Sequence, residues 1–108
     1  MLSICHVDLP ASHLLVVISE RQSTNSHALG AALYQAGRSG KPSVWLDCSL
    51  LAPDDVSEEN CQLLCDYHRR FCALGVALFI AHACTELRQY LATQPAGPPV
   101  VVSLIDAT

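Results

Sequence analysis

The chain has 108 residues, of which 51% are apolar and 15% charged, with ten acids against six bases and a net charge of −4. One domain spanning residues 1–108 with a modest core fits that length, and the composition argues against disorder. The only lysine is Lys41, and Arg69–Arg70 make a pair rather than a patch, which excludes a nucleic-acid or anionic-membrane surface built on clustered cations.

In chain order, Leu2 to Val7 reads as a short edge strand. His13 to Ser19 holds the apolar run LLVVI and reads as a buried strand. Thr24, Asn25 and Ser26 offer N-caps for a helix that ends at the Gly37/Gly40 pair, with Leu29, Ala32, Leu33 and Ala36 as its apolar stripe. Ser43 to Cys48 is the next strand, followed by the loop SLLAPDD. A second helix runs from about Ser57 to Leu74 and stops at Gly75. Val76 to His82 is another buried strand, and Thr85 to about Thr93 a third helix. The loop QPAGPP then leads to a last strand, VVVSLI. Alternating strands and helices predict an α/β fold: a mixed, mostly parallel sheet of about five strands packed with three to four helices.

No apolar run approaches the ~18–20 residues that span a bilayer. Met1 to Pro10 has neither the basic cluster nor the apolar core of a signal peptide. A cytoplasmic location without membrane insertion is therefore expected. The six cysteines, Cys5, Cys48, Cys61, Cys65, Cys72 and Cys84, then read as reduced thiols, most of them on apolar faces. The apolar share also leaves room for an exposed surface that a partner would cover.

Three stretches in order, KPSVWLDCS (Lys41 to Ser49), DDVSEENCQLL (Asp54 to Leu64) and YHRRFCALGVALFIAHACTELRQYL (Tyr67 to Leu91), resemble the STAS family of sulfate-transporter and anti-sigma-factor-antagonist domains. The resemblance covers about His13 to Leu91. It implies a non-catalytic regulatory domain, bacterial and without cofactor, that binds a protein partner such as an anti-sigma factor that is also a serine kinase. Antagonists of this family carry Asp-Ser-Ser-Gly at the start of the long helix, and the second serine accepts phosphate. The matching residues are Asp55-Val56-Ser57-Glu58. Ser57 is then the phosphoacceptor candidate, Val56 replaces the first serine and Glu58 the glycine. An ungapped match of the helix puts Glu58 at the acceptor position instead. The implied docking surface is Ser49 to Asn60, with Ser49, Asp54, Asp55, Ser57, Glu58 and Glu59 as partner-binding residues. A phosphate-insensitive subunit, such as a transport-ATPase accessory or a homodimerisation piece, is the alternative.

Read from the residues alone, Ser57 followed by acids is also a routine N-cap. Cys61, Cys65, His68 and Cys72, spaced 4, 3 and 4 apart, share one helix face and tempt a metal reading. Ligands along three turns of one helix spread over roughly 16 Å, whereas one ion needs them within about 2.0–2.3 Å. The stripe is therefore expected to face the core, and no metal is expected. His82-Ala83-Cys84 ends a buried strand before a helix, as a thiolate nucleophile would. It lacks a glycine-rich anion loop, and only Thr85-Glu86-Leu87 separate Cys84 from Arg88. A small thiol enzyme on Cys84 is the least favoured reading. Asp47 ends a strand without the other residues of a phosphoreceiver and is expected to order the adjacent loop by accepting backbone hydrogen bonds.

Overall fold

The computed structural model describes residues 2–19, 28–94 and 100–101. Five strands, β1 (Leu2–Asp8), β2 (Ser12–Ser19), β3 (Ser43–Leu50), β4 (Ala77–Ala81) and β5 (Val100–Val101), form one sheet in sequence order. β1 runs antiparallel to β2, with Leu2 opposite Ser19 and Asp8 opposite His13. The remaining pairings are parallel. Between the parallel strands lie α1 (Ala28–Gly37), a 3-10 turn (Pro53–Asp55), α2 (Glu58–Ala73) and α3 (Thr85–Ala92). The N-caps expected at Thr24 to Ser26, and the last strand beyond Val101, lie outside the described residues.

The buried residues of all three helices belong to one cluster with Leu15, Val17, Val44, Leu46, Leu78 and Ile80 of the sheet. Strand crossovers are right-handed almost without exception. When each step moves the same way across the sheet, successive right-handed crossovers put every helix on the same face. The expected burial holds for the central strands, where consecutive residues such as Val44, Trp45 and Leu46 are buried, and is only partial in β2. In β2 only Ser12, Leu15 and Val17 are fully buried, while Leu14, Val16 and Ile18 are half-buried. On the face away from the helices, Trp45 stacks on Phe79 with ring centroids 4.6 Å apart, and Leu9 and Leu14 join them.

α1 ends at the expected Gly37/Gly40 pair, with the two glycines in different roles. Gly37 is the last residue of α1, and it is Gly40, at φ +79°, that takes the left-handed turn. Gly37 is small for another reason. A Cβ built on it would lie 2.6 Å from Cε1 of Phe71 in α2. One turn pair earlier, a Cβ on Gly30 would meet Leu63 at 3.6 Å. The two glycines, seven residues apart, line one face of α1 and let α2 approach it.

The cysteine stripe of α2 does not face the core along its length. Cys61 and Cys65 are buried, His68 is half-buried and Cys72 is exposed. At the C-terminal end of the helix the buried position passes to Phe71, which turns toward Gly37 and leaves Cys72 in solvent. α2 ends as expected at Gly75, φ +76°, where the Gly75 and Val76 amides donate to Cys72 and Phe71 carbonyls.

Candidate functional site

The carboxyl end of β3 feeds a loop held by backbone turns together with short side chains. Asp47 Oδ1 accepts from the Ser49 amide at 3.0 Å, as its place before a turn predicts. The Leu51 amide donates to the Cys48 carbonyl at 3.1 Å. Ser19, at the end of β2, then ties the loop to the sheet. Its Oγ accepts from the Ala52 amide at 2.7 Å, and its hydroxyl bonds the Asp55 side chain, which holds that carboxyl below the usual carboxylate range. The stabilisation from this lowered pKa is present at neutral pH and is lost as pH falls through it.

Ser57 is extended, at φ −115° and ψ 157°, and its Oγ accepts from the Asn60 amide at 3.1 Å. This is N-cap geometry at the head of α2. The Asn60 side chain reaches back to the Asp55 carbonyl at 3.2 Å. Replacing Ser57 with alanine leaves the Asn60 amide without this acceptor. The expected cost is about 1 kcal/mol of unfolding free energy, measured by urea titration. Ser57→Asp, which restores an acceptor, should recover most of it.

Leu51 and Val56 turn inward and pack against the core. Beneath them lies a cavity of about 20 Å³, bordered by Val17, Leu46, Cys48, Cys61 and Leu87. Ser49, Asp54, Ser57, Glu58 and Glu59 are exposed, whereas Asp55 is half-buried. The structure thus brings the sequence-derived residues onto one surface but separates their roles. Asp55 braces the loop, and Asp54, Glu58 and Glu59 carry its exposed charge. Leu50, within the expected Ser49 to Asn60 docking segment, is 56% exposed. β3 extends two residues beyond the expected end at Cys48, to Leu50.

The other candidates stand elsewhere. Cys84 is the N-cap residue of α3, half-buried, and its side chain makes no capping bond. The Arg88 amide donates to the Cys84 carbonyl at 3.0 Å, which is an ordinary helical bond. His82 is exposed and sits at φ 57° in the turn between β4 and α3. On α2, the Cys72 Sγ lies 3.8–3.9 Å from the ring nitrogens of His68. No group of three or more metal-ligating side chains is gathered among the described residues. No helix among them is long and apolar enough to cross a membrane.

Strand order and helix placement define an α/β domain with a mixed sheet, and that fold recurs among solved structures. The NMR structure of the protein TM1081 superposes with a TM-score of 0.73 over 94% of this chain and 82% of that one, at 10% sequence identity. At that identity the likeness concerns the fold alone. No protein-family model and no curated protein matches the chain.

Proposed function

We propose that this chain is a STAS-like regulatory module, similar to the anti-sigma-factor antagonists, that works by reversible binding of a cytoplasmic protein partner rather than by catalysis. The observation that carries the reading is the Ser57 surface. An exposed serine caps the long helix directly after the loop from a central strand, and exposed Asp54, Glu58 and Glu59 flank it in sequence. Phosphate on Ser57 would meet the free amides and positive dipole end of α2. It would also add about −1.5 to −2 charges beside three acids, and so change the field that a basic partner reads. The partner class is an anti-sigma factor that is also a serine kinase.

Intact-mass analysis of the protein from its native host, with peptide mapping of residues 54–60, tests the switch. A phosphate on Ser57 supports it. Its absence under all growth conditions moves the reading to a phosphate-insensitive subunit. That second reading rests on Val56, which takes the place of the family's first serine and packs against the core instead of facing a partner.

The docking surface has its own test. Reversing Asp54, Glu58 and Glu59 to lysine turns the exposed field positive without touching the Ser19–Asp55 brace. Association with a basic partner should slow by about tenfold or more at low salt, read by surface plasmon resonance against the co-purified partner. Unchanged association would remove this surface from the proposal. Asp55 is left out because its substitution would loosen the loop as well as change its charge.

A further inference from the structure

β1 forms one edge of the sheet, and among the described residues its only strand partner is β2. The N–H and C=O groups along the outer side of such a strand are a template for another chain. Natural edges are guarded by lysine, proline, a bulge or short length. β1 runs seven residues, from Leu2 to Asp8, and pairs with β2 in unbroken register. No Pro, Lys, Arg, Asp or Glu stands between Leu2 and Val7. The one acid, Asp8, sits at the end of the strand and is paired with Lys41 at 3.4 Å.

The strand is also complementary to itself. Two edges related by a two-fold axis run antiparallel, and the residue nearest the axis faces its own copy. An axis at Cys5 pairs all seven residues. It puts Ile4 opposite His6 of the second copy, Ser3 opposite Val7 and Leu2 opposite Asp8, so no acid meets an acid. Burial divides the strand in the same way. Ile4 is half-buried and packs against the core cluster that holds the buried face of α1. Cys5, His6, Val7 and Asp8 are all exposed. The covered half of one strand therefore meets the uncovered half of the other. On the face away from the helices, Cys5 and Val7 lie beside Val16 and Leu14 of β2. Val7, 38% exposed, is a large apolar side chain that a second copy would cover.

We infer that this chain forms a two-fold dimer through β1, joining two five-stranded sheets edge to edge with Cys5 facing Cys5 at the axis. The join adds about six to eight backbone hydrogen bonds, two for each directly bonded pair. A second copy is the occupant because the two-fold register uses the whole strand and matches its covered half to its uncovered half. A strand of other sequence gains the backbone bonds without that match. The dimer does not depend on phosphorylation of Ser57.

Sedimentation velocity of the reduced full chain, from low micromolar to submillimolar concentration, reads the association. A dimer is expected, and Cys5→Ser should form it as well, since the backbone makes the ladder. Cys5→Lys sets two ammonium groups directly opposite each other and should weaken association about tenfold or more. Cys5→Asp should do the same. An equimolar mixture of the two should restore the dimer, because lysine then faces aspartate, and a variant that had merely failed to fold would not be restored. Diamide, which takes two electrons and two protons from a pair of thiols, should link the wild type through Cys5. Residues directly opposite in an antiparallel pair stand about 4.5–5.5 Å apart at Cα, inside the roughly 4.4–6.8 Å that a disulfide spans. Cys72, the other exposed thiol, is the control, and Cys72→Ser should link as the wild type does. A wild type that stays monomeric throughout overturns the dimer, as does Cys5→Lys associating like the wild type. A mixture that is not restored, or diamide linking that persists in Cys5→Ser, overturns the pairing about Cys5.

Discussion

Replacing Phe71 with alanine is expected to lower the unfolding free energy by about 3–5 kcal/mol, a large part of the 5–15 kcal/mol that holds a domain of this kind folded. Phe71 is 3% exposed and stands edge-on to Tyr67 at 5.7 Å. It fills the space where α2 crosses the end of α1, and only hydrogen at Gly37 leaves room for its ring. The partner substitution should therefore depend on Phe71. In the wild-type background, Gly37→Ala drives a Cβ into a buried aromatic ring, an overpacking that costs about 1–3 kcal/mol. With Phe71→Ala the ring is gone, and Gly37→Ala should stabilise by as much as ~1 kcal/mol through helix propensity. A double-mutant cycle by urea unfolding reads this change of sign. Equal effects of Gly37→Ala with and without Phe71 would refute the steric account of the α1–α2 contact.

That contact also marks where sequence reasoning stops. The spacing of Leu29, Ala32, Leu33 and Ala36 identifies a buried helix face, because that face is set by the period of one helix. Gly37 looks like a helix stop until Phe71, 34 positions later in the sequence, is seen against it. The cysteine stripe fails for a related reason. Periodicity places Cys61 and Cys72 on one face, but what covers that face changes along the helix. The Ser57 cap and the Asp47 turn were legible because each is a bond between residues two or three apart. The Ser19 brace spans 33 residues, and the hydrogen bond between His6 Nδ1 and His13 Nε2 depends on the register of β1 against β2. Neither leaves a local pattern. The strand order was likewise hidden, and with it the placement of all the described helices on one face.

Those buried cysteines lead to the second large effect, a loss of stability in alkali. Cys48 and Cys61 are both almost fully buried beneath the Ser49–Asn60 loop. Burial pushes the Cys48 thiol up to about 12 and the Cys61 thiol up to about 11, with neighbouring Asp47 adding to the first and Cys65 to the second. An unfolded chain ionises these thiols near 9, whereas the folded chain holds them protonated. Below that pH both states bind the same protons, and the thiols impose no penalty. Above it the native state keeps protons that the unfolded state has released, so unfolding is favoured more with each further unit of pH. A thiol retained in this way contributes a slope of about −1.4 kcal/mol per pH unit. Cys48 should act up to its value near 12, and Cys61 up to about 11. Urea titrations between pH 8 and about 10.5 measure the combined slope. Cys48→Ala should flatten it by about 1.4 kcal/mol per unit, whatever its cost in packing at pH 7, because a cavity shifts the whole curve while an ionisation tilts it. The same tilt in Cys48→Ala and wild type would mean that Cys48 ionises in the folded state as it does in the unfolded chain. The loop above it, with Leu51 and Val56 turned inward, would then not exclude solvent from the core as its packing implies.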